Sequence, residues 1–257
     1  MAYRSRHSMK QVTVRVYGPL NDFLPPARRQ AAFAHAFEGR ESVKDLVEGL
    51  GIPHPEIDLI LVNGEPVAFD YAVQDGNRIA VFPRFESVDI AGVTLVRPPL
   101  GALHFVLDGH LGRLARYMRL VGLDATYLAD ASDDDIAALA AREGRIVLTR
   151  DRGLLKLRGV SRGYWIRATM PRQQLVEVLH RFGPMRAPFS RCLRCNAELR
   201  EVPKASVESR LEPRTREYYQ RFHECPRCHR IYWAGSHWQR LTRLVESTTL
   251  EARLGVS

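Results

Sequence analysis

Four cysteines fall in two pairs, Cys192-Leu-Arg-Cys195 and Cys225-Pro-Arg-Cys228, with 29 residues between them. Two thiolates at this spacing reach one tetrahedral ion, and two such pairs complete a set of four thiolates around Zn2+. With sulfur at all four positions the ion has no open site, so its role would be structural. A redox Cys-x-x-Cys would follow a strand of a βαβ unit, and neither pair has that setting. His223, His229 and His237 are spare in this scheme and read as surface or partner-facing residues, with substitute ligation the alternative.

Aspartates form the second candidate set. Asp108 and Asp151 each close a short apolar run, and Asp133, Asp134 and Asp135 follow Ser132. Carboxylates that converge repel one another unless they share a cation. Hard oxygen ligands select Mg2+ or Mn2+, which leave sites open for water and substrate phosphates. Such ions activate water and clamp a phosphodiester. Arg113, Arg116, Arg150 and Arg152 lie close by in sequence and have the fork geometry that binds phosphate. Each feature also has an ordinary explanation. Asp108 and Asp151 could cap the segments after them, the three aspartates suit the first turn of a helix, and the arginines suit a solvated face.

These residues need elements to position them. Leu103-His-Phe-Val-Leu107 and Arg145-Ile-Val-Leu-Thr149 read as buried parallel strands. Amphipathic segments from Leu111 to Val121 and from Ile136 to Arg142 alternate with them. Leu111, Leu114, Ala115 and Met118 mark a core face, which leaves Arg113 and Arg116 largely off it. Side chains just past the carboxyl ends of parallel strands gather in one crevice, where open α/β sheets hold ligands. Asp108 and Asp151 are expected there.

The first ninety residues differ in character. Val12, Val14 and Val16 alternate with polar residues, and a second strand is expected over residues 30–37. Ser42 with Asp45 starts a helix that runs to about Leu50. Leu59-Ile-Leu-Val62 enters an Asn63-Gly64 hairpin turn, and Arg78–Phe82 is a last strand ahead of Pro83. The order ββαββ describes an α+β β-grasp domain. Val62-Asn-Gly-Glu-Pro-Val67 and Asp75-Gly-Asn-Arg-Ile79 resemble ubiquitin-like sulfur carriers, which act through a C-terminal Gly-Gly. Here the chain runs on through Pro83-Arg-Phe-Glu86, so the domain reads as a docking or structural module for a protein partner, with a carrier exposed by proteolysis as the alternative.

Composition sets the partner. The 257 residues carry a net charge of +9, unevenly spread. Residues 1–96 hold 10 Lys+Arg against 12 Asp+Glu, and residues 97–257 hold 28 against 17. A basic half beside a near-neutral one suggests a polyanion such as RNA, whereas an arginine-rich solvated surface is the plain alternative. Arginines and aromatic residues interleave around the cysteine pairs, as in single-strand RNA binders. The N-terminus lacks an apolar signal core and no long apolar run occurs, so a cytoplasmic protein without membrane contact is expected.

The run Asp108-x-x-Leu-Gly-Arg113-Leu-Ala-Arg116-Tyr-Met-Arg-Leu-Val-Gly122-Leu-Asp124, then Ser132-Asp-Asp-Asp135, then Leu148-Thr-Arg-Asp151-Arg-Gly-Leu, resembles the Mut7-C family of PIN-like ribonucleases. The likeness spans roughly residues 103–240, and family members often carry a β-grasp domain in front. It implies metal-binding, catalytic roles for Asp108, Asp133 and Asp151, with Asp124 at a position of unclear role. Tyr232-Trp-Ala-Gly-Ser-His-Trp238 resembles the family's closing motif, with Trp238 anchoring the ribbon. The resulting expectation is a β-grasp domain (9–90), a linker (91–102), an α/β PIN-like ribonuclease domain (103–186), a zinc ribbon (187–240) and a tail (241–257). The implied activity is metal-dependent hydrolysis of RNA such as tRNA or ribosome-associated RNA. An RNA- or ribosome-binding protein with an inert acidic pocket is the alternative.

Overall fold

Valines 12, 14 and 16 are fully buried while the residues between them face solvent, which makes β1 (Lys10–Val16) a one-sided strand. The computed structural model describes residues 9–85, 90–97, 101–183 and 187–255, and the chain divides into two compact units. In the first unit, β1 is followed by β2 (Ala32–Phe37), α1 (Val43–Gly49), β3 (Ile57–Val62), β4 (Glu65–Pro66) and β5 (Arg78–Pro83). The sheet order is β2-β1-β5-β3-β4, with β1 and β5 parallel and the remaining pairs antiparallel. Ser42 and Asp45 form a complete capping box for α1. Asn63 and Gly64 both take positive φ, +54° and +97°, as a two-residue hairpin requires. Leu46 and Val47 of α1 share one buried core with Val14, Ile60 and Val81 of the sheet.

The segment expected as a linker is in part fixed to this unit. Thr94 donates its hydroxyl to the Asp58 carbonyl at 2.5 Å. Arg97 donates to the carbonyls of His54, Pro55 and Ile57 and lies 3.5 Å from the Asp58 carboxylate. A guanidinium with five donors reaches several carbonyls at once, and the composition of the segment gives no hint of that. Met1–Ser8, Glu86 and the pair Pro98-Pro99 lie outside the described residues.

The second unit begins with β6 (His104–Leu107), α2 (Gly112–Leu120), β7 (Asp124–Tyr127), α3 (Asp133–Glu143) and β8 (Ile146–Thr149). β6 lies between β7 and β8, parallel to both. The sequence reading lacks β7, because Asp124-Ala-Thr-Tyr127 is short and has polar residues in place of an apolar run. Phe105, Val106, Leu107, Val147 and Leu148 are all fully buried, as expected for strands covered on both faces.

The chain then leaves this unit. Residues 151–165, including β9 (Gly163–Trp165), belong to the first unit, where the Trp165 amide donates to Glu56 at 2.6 Å. From Ile166 the second unit resumes with α4 (Pro171–Phe182). A small three-stranded sheet follows, of β10 (Arg200–Val202), β11 (Phe222–Glu224) and β12 (Ile231–Tyr232). Two short helices, α5 (Lys204–Val207) and α6 (Pro213–Tyr218), lie between β10 and β11. Val207, Leu211 and Phe222 form its small core. Residues 238–254 form one 17-residue helix, α7 (Trp238–Leu254), where the end of the ribbon and a tail were expected. Buried Val245, Thr248 and Ala252 lie along one face of α7, and His180 of α4 meets the Ala252 carbonyl. Among the described residues no helix is long and apolar enough to cross a membrane.

Candidate active site and thiolate cluster

Asp108 follows the last residue of β6, the central strand of the parallel trio. The residue is only 5% exposed. One carboxylate oxygen accepts from the His110 amide at 2.9 Å. The other accepts from the Thr149 hydroxyl, itself fully buried at the end of β8, and from the Arg150 amide at 3.4 Å. The aspartate therefore caps the 3-10 turn at 109–111, as its ordinary explanation requires, and is also tied across to β8. All three of these donors are neutral. Thr149 is the residue sequence reasoning missed here; its polar hydroxyl inside the run Ile146–Thr149 was the available signal.

The other aspartates separate by role. Ser132 and Asp135 form the capping box of α3, so the cap is Asp135's task and not that of Asp133 or Asp134. Hydrogen bonds from Ser132 hold the Asp135 carboxyl below its ordinary range. Asp133 stands exposed in the first turn of the same helix. Asp151 opens the segment that folds with the first unit, and its Oδ1 accepts the Gly153 amide at 2.7 Å. Asp124 is committed to packing. It takes Arg145 at 2.7 Å, the Asn196 amide group at 2.8 Å and Arg191 at 3.5 Å. Burial acts to raise its pKa, but the hydrogen bonds and charges of these partners outweigh it and hold the carboxyl low.

Among the arginines, Arg113 and Arg116 are exposed on α2, as the amphipathic pattern required. Arg150 is exposed and gives one guanidinium nitrogen to the Ala168 carbonyl at 2.8 Å. Arg152, in the first unit, lies 4.0 Å over the Trp165 ring and 5.1 Å from that of Phe23. Stacking of this kind leaves the guanidinium edge available for hydrogen bonding.

The four cysteine sulfurs lie within 4.8 Å of one another, the one group of three or more converging ligand residues among those described. Cys192 and Cys228 sulfurs are 3.5 Å apart, and those of Cys195 and Cys225 are 3.3 Å apart. A tetrahedron with Zn–S bonds of about 2.3 Å has edges of about 3.8 Å, so the sulfurs fit that ion. The two pairs repeat one backbone turn. The amides of Cys195 and Cys228 point at the sulfurs of Cys192 and Cys225, and the amides of Asn196 and His229 return to the carbonyls of the same two residues. Asn196 and His229 both take positive φ, +70° and +55°. His229 therefore serves the turn, and its ring contacts Glu224 at 3.4 Å.

Neighbours tune the cluster. The Tyr232 hydroxyl lies 3.1 Å from the Cys192 sulfur and accepts the Leu193 amide at 3.1 Å. Burial raises the Cys192 thiol, but hydrogen bonds from Tyr232 and the amides of Cys195 and Arg194 bring it down to about 6. Burial and the shared protons of the neighbouring sulfurs push Cys195 up to about 12. Arg119, buried in α2, donates to the Ala125 carbonyl at 2.8 Å and to those of Leu193 and Arg194 at 3.1 and 2.9 Å. The Asn196 side chain also receives the Ala125 amide at 3.0 Å. Arg119 and Asn196 were missed from sequence. An asparagine directly after Cys-x-x-Cys was the signal for a left-handed turn.

Residues 103–245 match the Mut7-C RNAse domain, and residues 9–89 match the Mut7-C ubiquitin domain. The chain belongs to the Mut7-C family. Its ubiquitin-like unit and its Mut7-C domain come in the order the sequence motifs implied. The human exonuclease mut-7 homolog is 35% identical over 108 residues, which cover 39% of this chain and 12% of that protein. This Mut7-C chain thus corresponds to a small part of that relative's length.

Proposed function

We propose that this chain is a divalent-metal-dependent ribonuclease of PIN-like fold, with Asp108, Asp133 and Asp151 as its acidic residues. The observation that carries the reading is Asp108: a residue 5% exposed, at the carboxyl end of the central parallel strand, whose donors among the described residues are a hydroxyl and two amides. Family membership in a domain named for its RNase activity, and likeness to a protein named an exonuclease, supply the reaction class.

Asp108 would be the fixed ligand, because its Thr149 and amide bonds set its orientation before any ion arrives. Asp133 is not used as a helix cap, and Asp151 follows β8 by two residues, where the family pattern has its third acidic residue. Mg2+ or Mn2+ would supply Lewis acidity and a favourable charge for phosphate oxygens. Arg113 and Arg116, exposed on α2, and Arg150 and Arg152 would hold the backbone of the substrate. In the same reading the four thiolates hold Zn2+ as a ribbon that supports the domain, and the ubiquitin-like unit docks a protein partner.

The test is cleavage of labelled RNA by the full chain with Mg2+ or Mn2+, against Asp108→Asn and Asp151→Asn. A metal's share of the barrier is several kcal/mol, and each ~1.4 kcal/mol is tenfold, so each variant should lose at least about 100-fold. Unchanged cutting by either variant refutes the assignment of that residue. A parent protein that binds RNA tightly and leaves it intact with Mn2+ is a binding module.

A further inference from the structure

A cavity of about 500 Å³ opens beside the four-cysteine cluster, within the size range of small-ligand pockets. We propose that it is a nucleobase-binding subsite, in which an unstacked base of single-stranded nucleic acid lies against Trp233 and the Phe189–Trp238 pair while Arg221 meets the adjoining phosphate. The proposal rests on the nuclease reading for the identity of the polymer. It adds a place where the strand is gripped, apart from the aspartates.

Aromatic side chains that could have filled the small core instead line this opening. Phe189 and Trp238 stack with ring centres 4.0 Å apart at a tilt of 32°. Phe189 holds that position with φ at +64°, a conformation bulky residues rarely adopt, fixed by its amide bond to the Leu120 carbonyl at 2.8 Å. Trp233 is 37% exposed, although indole is costly to leave in water. A Cβ at Gly235 would come within 2.8 Å of the Trp233 indole nitrogen, so the glycine is what lets the ring lie over its loop. The Tyr232 hydroxyl is committed to Cys192 and Leu193, which fixes the ring of another wall residue. The platform is therefore built before a ligand arrives.

Charge selects the occupant. Arg221 and His223 stand at the cavity, and the Arg221 side chain is 81% exposed, with an exposed contact to Glu201 at 3.3 Å among the described residues. Arg191 lines the cavity too, but Asp124 and Glu198 occupy it. A flat apolar slot with an extended cation at its mouth matches a base and its phosphate. Every base has a π-face, so such a slot is tolerant of sequence.

The experiment measures fluorescence anisotropy of labelled single-stranded ten-residue RNA on the full chain, purified with zinc. The Asp108→Asn background prevents cutting and keeps the result separate from catalysis. Trp233→Ala should weaken binding roughly 5- to 150-fold, the range for losing one base stack. Trp233→Phe should restore most of that binding, and Arg221→Ala should weaken it with a shallower salt dependence. An abasic strand of equal length should bind the parent and Trp233→Ala alike. Equal affinity of parent, Trp233→Ala and Arg221→Ala for RNA with bases overturns the proposal, even if the parent proves an active nuclease. Loss of abasic binding in Trp233→Ala to the same degree also overturns it, as does competition by a tryptophan-rich peptide that RNA cannot displace, since the slot would then serve a protein. Base-dependent binding by a parent that never cuts RNA would sustain the subsite while refuting the nuclease reading.

Discussion

Arg119→Met removes a single buried guanidinium that joins α2 to the first cysteine turn. The side chain donates to three carbonyls, of Ala125, Leu193 and Arg194, at 2.8 to 3.1 Å. Burial lowers its pKa while Cys192, Cys195 and Asp124 raise it, and it stays charged. Hydrogen bonds to a charged group are worth roughly 1.5–3 kcal/mol each, but desolvating the guanidinium offsets much of that sum. Water can also reach the partly buried Leu193 and Arg194 carbonyls once the arginine is gone. A net loss of about 3 kcal/mol follows, or roughly 6–12 °C in Tm for a unit of this size. Partners that orient metal ligands from behind are worth about 10- to 100-fold in affinity, so a colorimetric chelator should take zinc from the variant that much more readily. Arg119→Lys keeps the charge but not the fork, and should fall between the two. A methionine variant that melts within about a degree of the parent and holds zinc equally would refute the coupling.

Two further substitutions separate structural from chemical roles. Asp135→Ala removes half of a capping box and should lower Tm while leaving RNA cleavage intact, whereas Asp133→Ala should melt almost normally and cut poorly; the reverse pattern in paired melting and cleavage assays would exchange their roles. Asp124 has a depressed folded pKa, so its contribution to stability is fully present above the ordinary carboxylate range and is lost as pH falls through the lowered value. Denaturant titrations should therefore show parent and Asp124→Asn well apart at neutral pH and converging in acid, and a gap that persists at low pH would refute the ion-pair account.

Much of this is legible in the chain alone. Strict alternation at Val12, Val14 and Val16, the Ser42–Asp45 cap and the Asn63-Gly64 turn are local signals, and each defines its element with little help from the rest of the chain. The cysteine spacing likewise describes a metal site by itself. What stays hidden depends on contacts distant in sequence. β7 is recognisable only once it pairs with β6, because Asp124-Ala-Thr-Tyr127 has no apolar run of its own. Arg119 looks like one more cation on an arginine-rich helix, yet its partners lie 74 and 75 residues away. Thr149 ends a strand in the sequence reading, and its hydroxyl gains a purpose only with Asp108 beside it. Helix α7 is hidden for another reason: its polar residues outnumber those of an ordinary core helix, and only one face is covered.

The grouping of Asp151–Trp165 with the first unit has a bearing on how the two units can be dissected. Within the first unit, Glu56 receives the Trp165 amide and Phe23 sits beside the indole. A protein trimmed to begin at Ala102 would keep every cysteine and Asp108, but its Trp165 would lose Phe23 and the Glu56 carboxylate. The ubiquitin-like unit thus draws fifteen of its residues from the middle of the chain, and a cut at Ala102 divides that unit in two.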